Sequence, residues 1–417
     1  MRRRAAFSYG FLLPAAVVAG YAIGAIAWRP PDVFWALWLL PPVWRLAAHT
    51  ARRNGFYPLG APLSMLAYYS SALLPSAAAL RAYWPALSVA SSVAMALATP
   101  ILLSLPWFWA AASRDHRGLF RHPAVRYFFA LSATAIPPLG ALGMASPLFA
   151  AAPAFPSTGL LGLAVTLVLM PYLACSTPHL HGRRWPYGAS FVFLSLCSAI
   201  LISRPGVPAA ARPFIAVPTR LGPTPRTLTG WFHRNAEVRA RALSAVRSSP
   251  PGSILVFPED ILGPWTRWSA QYWRPVAQAA RARHDILLMG VTLRAPEGGK
   301  LDAIIGLGQT SFVGYARQPI PLGSWAPWYR DGYRASWFRL GPYVIGSHRI
   351  ALLVCYEQLL VWPAAWSFLS SEPPSIILAV SNHGWAPAHL PEIHVQAAAA
   401  EAIGRLFAVP VLATDNL

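Results

Sequence analysis

Three apolar runs in the second half of the chain each end in a residue able to do chemistry. Ile254–Phe257 leads into Pro258-Glu259, Ile350–Val354 into Cys355-Tyr356-Glu357, and Ile376–Val380 into Ser381-Asn382-His383. A thiol attacks as its thiolate, and a carboxylate beside it can take the proton. In open α/β sheets such groups gather outside the carboxyl ends of strands, so a carboxylate, a thiol and an amide at three ends are expected on one rim. The plainer reading of Cys355 is a buried space-filler, since free cysteine is among the most buried residue types. Glu259 resists that treatment, because a carboxylate directly after an apolar strand is costly to bury without a partner. A papain-like grouping of Cys355, His383 and Asn382 is a rival, but it leaves Glu259 without a role.

The elements that position these residues form a second domain. Past Arg204, Pro205, Pro208 and Pro213 punctuate a linker over 204–213, and no later apolar run is long enough to cross a membrane. Runs at Phe214–Val217, Ile254–Phe257, Ile286–Val291, Ala303–Leu307, Ile350–Val354, Ile376–Val380 and Val409–Ala413 read as strands. They alternate with helix-like segments near 231–248, 269–284 and 391–406. Strands apolar on both sides and separated by helices call for buried sheets covered by helices, which makes 214–417 an α/β domain.

Residues 1–203 have a different texture. Of the 417 residues 55% are hydrophobic and 12% charged, where a soluble domain carries roughly 25% charge. Apolar stretches near 7–28, 32–48, 59–80, 83–112, 125–151, 157–178 and 187–203 approach or exceed the roughly 20 residues a helix needs to span a bilayer. They predict a polytopic α-helical membrane domain of about seven helices. Net charge is +20, and Lys300 is the only lysine. In the first half the arginines fall between the apolar stretches. One set of alternate loops collects Arg2, Arg3, Arg4, Arg45, Arg52, Arg53, Arg114, Arg117, Arg121, Arg126, Arg183 and Arg184, and the other only Arg29 and Arg81. Short cytoplasmic loops are enriched in Arg and Lys, so the bias predicts a cytoplasmic N-terminus and a periplasmic second domain in a bacterial inner membrane. The apolar run after Arg4 exceeds the usual signal-peptide core and reads as an uncleaved anchor. Cys175, Cys197 and Cys355 imply no disulfide framework.

Leu255-Val256-Phe257-Pro258-Glu259, Leu353-Val354-Cys355-Tyr356-Glu357 and Ser381-Asn382-His383-Gly384-Trp385 resemble the strand-end motifs of the nitrilase, or carbon–nitrogen hydrolase, superfamily. A multi-span half before such a domain is similar to apolipoprotein N-acyltransferases. The stretch Cys355 to Pro363, Arg317-Gln318 with Pro319-Ile320-Pro321, and Arg405-Leu406-Phe407 are more similar still to plasmid conjugal transfer proteins of the TraB type. The likeness extends over essentially the whole chain. It implies an αββα sandwich in which Glu259 is the general base and Cys355 forms a thioester. Glu357 matches a second carboxylate near the cysteine, and Tyr356, Asn382 and Trp385 fall on pocket walls. The superfamily's third catalytic residue, a lysine, aligns with Arg317 in Tyr315-Ala316-Arg317.

Arginine can hold an oxyanion by charge and forked hydrogen bonds, yet with a pKa above about 12 it is a poor proton donor. If the position must supply a proton, turnover falls by about 10²–10⁴-fold; if it only holds charge, activity survives. Ser324 where the acyltransferase motif has a glutamate, and a sequence ending at Asn416-Leu417 before that enzyme's closing membrane helix, turn the expectation towards the TraB type. The functional expectation is an inner-membrane conjugal transfer protein with Cys-dependent amide hydrolysis or acyl transfer. A lipoprotein N-acyltransferase and an inactive scaffold of the transfer apparatus are the alternatives. Expected partners are membrane lipid, a lipid or peptide acyl group and apparatus proteins. No nucleic-acid-reading module or phosphate loop is recognisable. His383, His389 and His394 fit no common zinc spacing, so neither metal nor cofactor is expected. Trp325, Trp328, Tyr329, Arg330, Tyr333, Arg334 and Trp337 read as a loop over the pocket mouth; contact with the lipid interface is an alternative reading of the same residues.

Overall fold

The computed structural model describes residues 12–30, 32–53, 59–112, 118–175, 213–387 and 390–417. The chain divides into two compact units, Met1–Pro205 with Leu359–Trp362 and Arg405–Ala408, and Gly206–Gln358 with Pro363–Gly404 and Val409–Leu417.

The first unit is helical, with helices Leu12–Ala27, Leu40–Arg53, Gly60–Leu73, Ser76–Tyr83, Val89–Ala112, Pro123–Ala135 and Leu160–Cys175. Among the described residues, Val89–Ala112 is long and apolar enough to cross a membrane. Gly60–Leu73 and Ser76–Tyr83 pass the same test together, across a 44° bend. Leu13–Ala27 and Leu160–Cys175 are apolar but shorter. The stretch expected to span over 125–151 is interrupted, because the helix Pro123–Ala135 stops before Pro137 and Pro138, and prolines cannot donate the next helical hydrogen bonds. The stretch expected over 187–203, the linker up to residue 212, and Arg2, Arg3, Arg4, Arg114, Arg117, Arg183 and Arg184 lie outside the described residues.

The second unit contains two sheets. β1 (Phe214–Ala216), β2 (Ile254–Val256), β3 (Ile286–Arg294), β4 (Lys300–Gly308) and β5 (Phe312–Tyr315) form one sheet in that order, parallel through β3 and antiparallel beyond it. β6 (Tyr343–Ile345), β7 (His348–Val354), β8 (Ile376–Asn382) and β9 (Val411–Asn416) form the other, with β7, β8 and β9 parallel. Alternation along each strand splits the core. Ile254, Val256 and Leu288 meet Ile350, Leu352, Val354, Leu378 and Val380 between the sheets. Leu255, Leu287 and Met289 face the other way, against Val238, Ala242, Val246, Trp273 and Val276 of the helices Leu228–Ser248 and Arg267–Ala282. That three-to-four-residue spacing is the stripe an amphipathic helix lays on a sheet. The Thr227 side chain caps the first of these helices, and a Thr266–Ser269 capping box starts the second. Val361–Phe368 and Pro391–Phe407 follow β7 and β8, as the crossover connections of parallel strands require. Thr219 ties the end of β1 to the end of β9, its hydroxyl donating to Asn416 Oδ1 at 2.8 Å and its N–H to the Asp415 carbonyl at 2.9 Å. The two sheets thus pack face to face, and helices cover the other face of the β1–β5 sheet.

Candidate active site

Cys355 is the first residue beyond β7, and its backbone turns into the left-handed region at φ +46. A non-glycine residue is held there only when its surroundings over-determine it, a condition typical of functional turns. The surroundings here are Glu357 and Gln358. The Glu357 carboxylate is fully buried and accepts three backbone N–H groups: Val354 at 2.8 Å on Oε2, and Arg317 at 2.6 Å and Gln318 at 3.1 Å on Oε1. Gln358 Nε2 donates to Ser381 Oγ at 2.8 Å, fastening the turn to β8. Burial pushes the Glu357 carboxyl up to about 7, against the pull of Arg317 and of those N–H donors.

Glu357→Gln is therefore expected to destabilise this unit. The amide oxygen can keep the Arg317 and Gln318 bonds, but its NH2 then faces the Val354 N–H, and a buried donor left unsatisfied costs about 1–3 kcal/mol. A lower thermal unfolding midpoint for the full-length variant checks this; an unchanged midpoint would mean the carboxylate does not brace the turn.

Glu259 lies just past β2, its loop seated over β3. Phe257 N–H donates to the Leu288 carbonyl at 2.9 Å and Leu262 N–H to the Gly290 carbonyl at 3.0 Å. The Glu259 carboxyl and the Cys355 thiol lie close enough to shift each other's ionisation. A carboxyl and a sulfur 96 positions apart in sequence therefore meet between the two sheets. Burial raises the Glu259 carboxyl, while the neighbouring Asp302 and Cys355 side chains and the charge of His383 draw it down. Burial likewise holds the Cys355 thiol well above its ordinary value of 9.0, and the nearby Glu259, Asp302 and Asp415 add to that. Cys355 at rest is thus a thiol, which attacks only where a base takes its proton.

Arg317 is brought near by its backbone but not by its side chain. The residue is fully buried, its guanidinium donating to the carbonyls of Arg339 at 2.9 Å and Gly341 at 3.0 Å and lying 5.7 Å from the Tyr343 ring. Among the described residues no hydrogen bond or ion pair joins it to Glu259 or Cys355. A long side chain at the expected position has turned to stabilise the 339–341 loop instead.

The remaining expected residues frame the pair. Asn382 is buried, with Nδ2 donating to the Glu259 carbonyl at 3.1 Å and Oδ1 accepting from Asn416 Nδ2 at 2.9 Å. Tyr356 is buried and Trp385 half-buried in the turn beyond β8. His383 Nδ1 pairs with Asp415 Oδ2 at 2.6 Å, and Nε2 faces Gln396 Oε1 at 3.4 Å. That ion pair raises His383 despite burial. Among the described residues no hydrogen bond joins His383 to Cys355, and His383 has Asp415 as its partner; His394 is exposed, and His389 lies outside the described residues. In the aromatic loop, Tyr333 reaches inward to Thr292 Oγ1 at 2.7 Å and Trp337 to Gln318 Oε1 at 2.7 Å, while Trp328 and Tyr329 stay exposed.

Sequence reasoning missed Asp302, Asp260 and Asp415. Asp302 sits in β4 opposite Thr292 of β3, 8% exposed, and burial together with the nearby Glu259 carboxyl raises its own carboxyl well above the usual range. Asp260 accepts from Thr292 Oγ1 at 2.8 Å, and burial pushes it up to about 7. The argument that singled out Glu259, a carboxylate against an apolar strand, applies equally to Asp302 before Ala303–Leu307 and could have found it.

No protein-family model matches the chain. A probable conjugal transfer protein TraB of Sinorhizobium fredii (strain NBRC 101917 / NGR234) is 30% identical over 317 residues, covering 70% of this chain and 72% of the relative. A conjugal transfer protein TraB of Agrobacterium fabrum (strain C58 / ATCC 33970) is 31% identical over 306 residues, covering 70% and 66%. Among solved structures, a carbon–nitrogen hydrolase from Helicobacter pylori G27 aligns with a TM-score of 0.37 at 11% identity, over 48% of this chain and 72% of that one.

Proposed function

Because the chain belongs to the TraB family of conjugal transfer proteins, we propose that it serves plasmid conjugal transfer through a thioester formed at Cys355. The observation that carries this reading is the meeting of the Cys355 thiol, at the end of β7, with the Glu259 carboxyl, at the end of β2, close enough for each to shift the other's ionisation. Glu259 takes the thiol proton as sulfur attacks the carbonyl carbon of an acyl or amide group. The tetrahedral intermediate collapses as the leaving amine or alkoxide receives that proton from Glu259. Water or an acceptor amine then cleaves the thioester, giving hydrolysis or acyl transfer. The substrate class is a lipid or peptide acyl group.

The first unit anchors the protein in the inner membrane, with its N-terminus cytoplasmic and the second unit periplasmic. The twelve-to-two division of arginines among alternate loops supports that topology. Membrane lipid and proteins of the transfer apparatus are the partners.

The engagement of Arg317 with the 339–341 carbonyls favours one second reading, a scaffold that no longer turns over. Conjugation frequency separates the two. Cys355→Ala and Glu259→Gln are each expected to reduce it towards the level seen when residues 213–417 are deleted. If both leave it unchanged while the deletion abolishes it, the scaffold reading holds.

A further inference from the structure

The two helices that cover the β1–β5 sheet leave apolar side chains on the surface that the site does not use. Leu228 is 90% exposed, Phe232 63% and Trp268 67%. Single exposed apolar side chains are ordinary on a protein surface, whereas contiguous ones mark an interaction site. These are contiguous. Leu228 and Phe232 stand one turn apart on the helix Leu228–Ser248, as Trp268 and Tyr272 do on the helix Arg267–Ala282. The Phe232 and Tyr272 rings, with centroids 6.2 Å apart, join the two pairs into one strip.

The strip has a basic border. Arg267 lies 5.2 Å from the Trp268 ring and Arg239 4.7 Å from the Tyr272 ring, while the exposed Arg226 comes two residues before Leu228. The acids between residues 220 and 283 are Glu237, Glu259 and Asp260. Glu259 and Asp260 belong to the site, and Glu237 is paired with Arg241 at 2.9 Å.

We propose that this strip is a docking face for an anionic bilayer surface: Leu228, Phe232 and Trp268 enter the headgroup boundary while Arg226, Arg239 and Arg267 meet the lipid phosphates. Tryptophan and tyrosine rings favour that boundary, and basic side chains beside an apolar face are drawn to anionic lipid. A second copy of the chain fits less well, because a two-fold contact through the strip would set one arginine border against another.

The strip lies at the functional end of its sheet. Each helix begins in the loop that leaves the carboxyl end of a parallel strand, β1 or β2, so both first turns sit at the end where Glu259 lies. The Trp231 ring lies against Gly263, in the loop that carries Glu259 towards Thr266. A bilayer on the strip therefore stands beside that end of the domain. This docking face is independent of the thioester at Cys355 and takes from the proposed function only the anchoring of the first unit in a membrane.

Full-length protein is placed in nanodiscs of phosphatidylcholine alone and of equal parts phosphatidylcholine and phosphatidylglycerol. Hydroxyl-radical oxidation of Leu228, Phe232 and Trp268 is then read residue by residue by mass spectrometry. Oxidation of all three should fall in the anionic discs and recover as salt screens the contact. Arg226→Gln and Arg267→Gln should each lower the docked-to-free ratio about fivefold, the worth of one basic residue at an anionic surface. Equal oxidation in the two lipids, or protection unchanged by both substitutions, would overturn the proposal. Protection already present in detergent together with a doubled mass would mean that a second copy covers the strip, which also overturns it. If the chain is recovered free of the nanodiscs, the anchoring reading fails, and flotation of the same protein with vesicles of the two compositions decides the docking face. Flotation with the anionic vesicles alone is expected, and none with them overturns it.

Discussion

At neutral pH, Glu259→Gln is expected to slow acylation of Cys355 by about 10²–10⁴-fold, the usual worth of a positioned base. Two effects of the substitution oppose each other. It removes the base, but it also removes a negative charge that helps hold the thiol above its usual range. Burial is the larger cause of that elevation and is untouched, and Asp302 and Asp415 remain. The thiol therefore stays raised in the variant, and little of it is thiolate near neutral pH. Spontaneous ionisation cannot replace Glu259 near pH 7, so loss of the base wins. The defect should shrink as pH rises past the thiol's own pKa. Acylation rates measured from about pH 6 to about pH 10 check both parts. A variant faster than wild type at neutral pH would show that Glu259 acts only by raising the thiol pKa.

Gly290→Ala should cost about 10²-fold through geometry alone, the loss that follows an ångström of misplacement in a catalytic pair. Gly290 lies in β3 beneath the Glu259 loop. A Cβ added there would stand 2.2 Å from the Pro258 carbonyl oxygen, 2.3 Å from Asp260 N and 2.6 Å from the Glu259 carbonyl carbon. All three are backbone atoms, so no side chain can swing aside. The loop must lift, carrying Glu259 away from Cys355 and straining the Leu262 N–H bond to the Gly290 carbonyl. Because β3 remains paired with β4 along its length and with β2 over Ile286, Leu287 and Leu288, the unit should still fold with a reduced unfolding midpoint. An acylation rate equal to wild type would contradict the claim that this close approach positions the base.

The strands that carry Glu259, Cys355 and Asn382 were legible because each is apolar on both faces and ends abruptly in polar residues. β5 and β6 were not. They are four and three residues long at the sheet edges, and Val313 and Val344 face solvent, which leaves no apolar run to notice. Arg317 marks another limit. Motif spacing fixed its place at the end of β5, but a long side chain has many directions, and carbonyls of a loop 22–24 residues later decided this one. Asp302 escaped because its strand is antiparallel, so its contribution to the rim comes from the start of a strand, while attention to carboxyl ends favoured the parallel ones. In the first half, length and hydropathy marked apolar stretches without saying where prolines would divide them.

Trapping the intermediate tests the central claim most directly. Full-length protein is mixed with a soluble activated acyl ester, quenched in acid within one turnover, and the Cys355 peptide is weighed before and after hydroxylamine. Wild type should carry one hydroxylamine-labile acyl group on Cys355, and Glu259→Gln should carry essentially none at the same time point. An unmodified Cys355 in folded wild type, or equal acylation in both proteins, would contradict it.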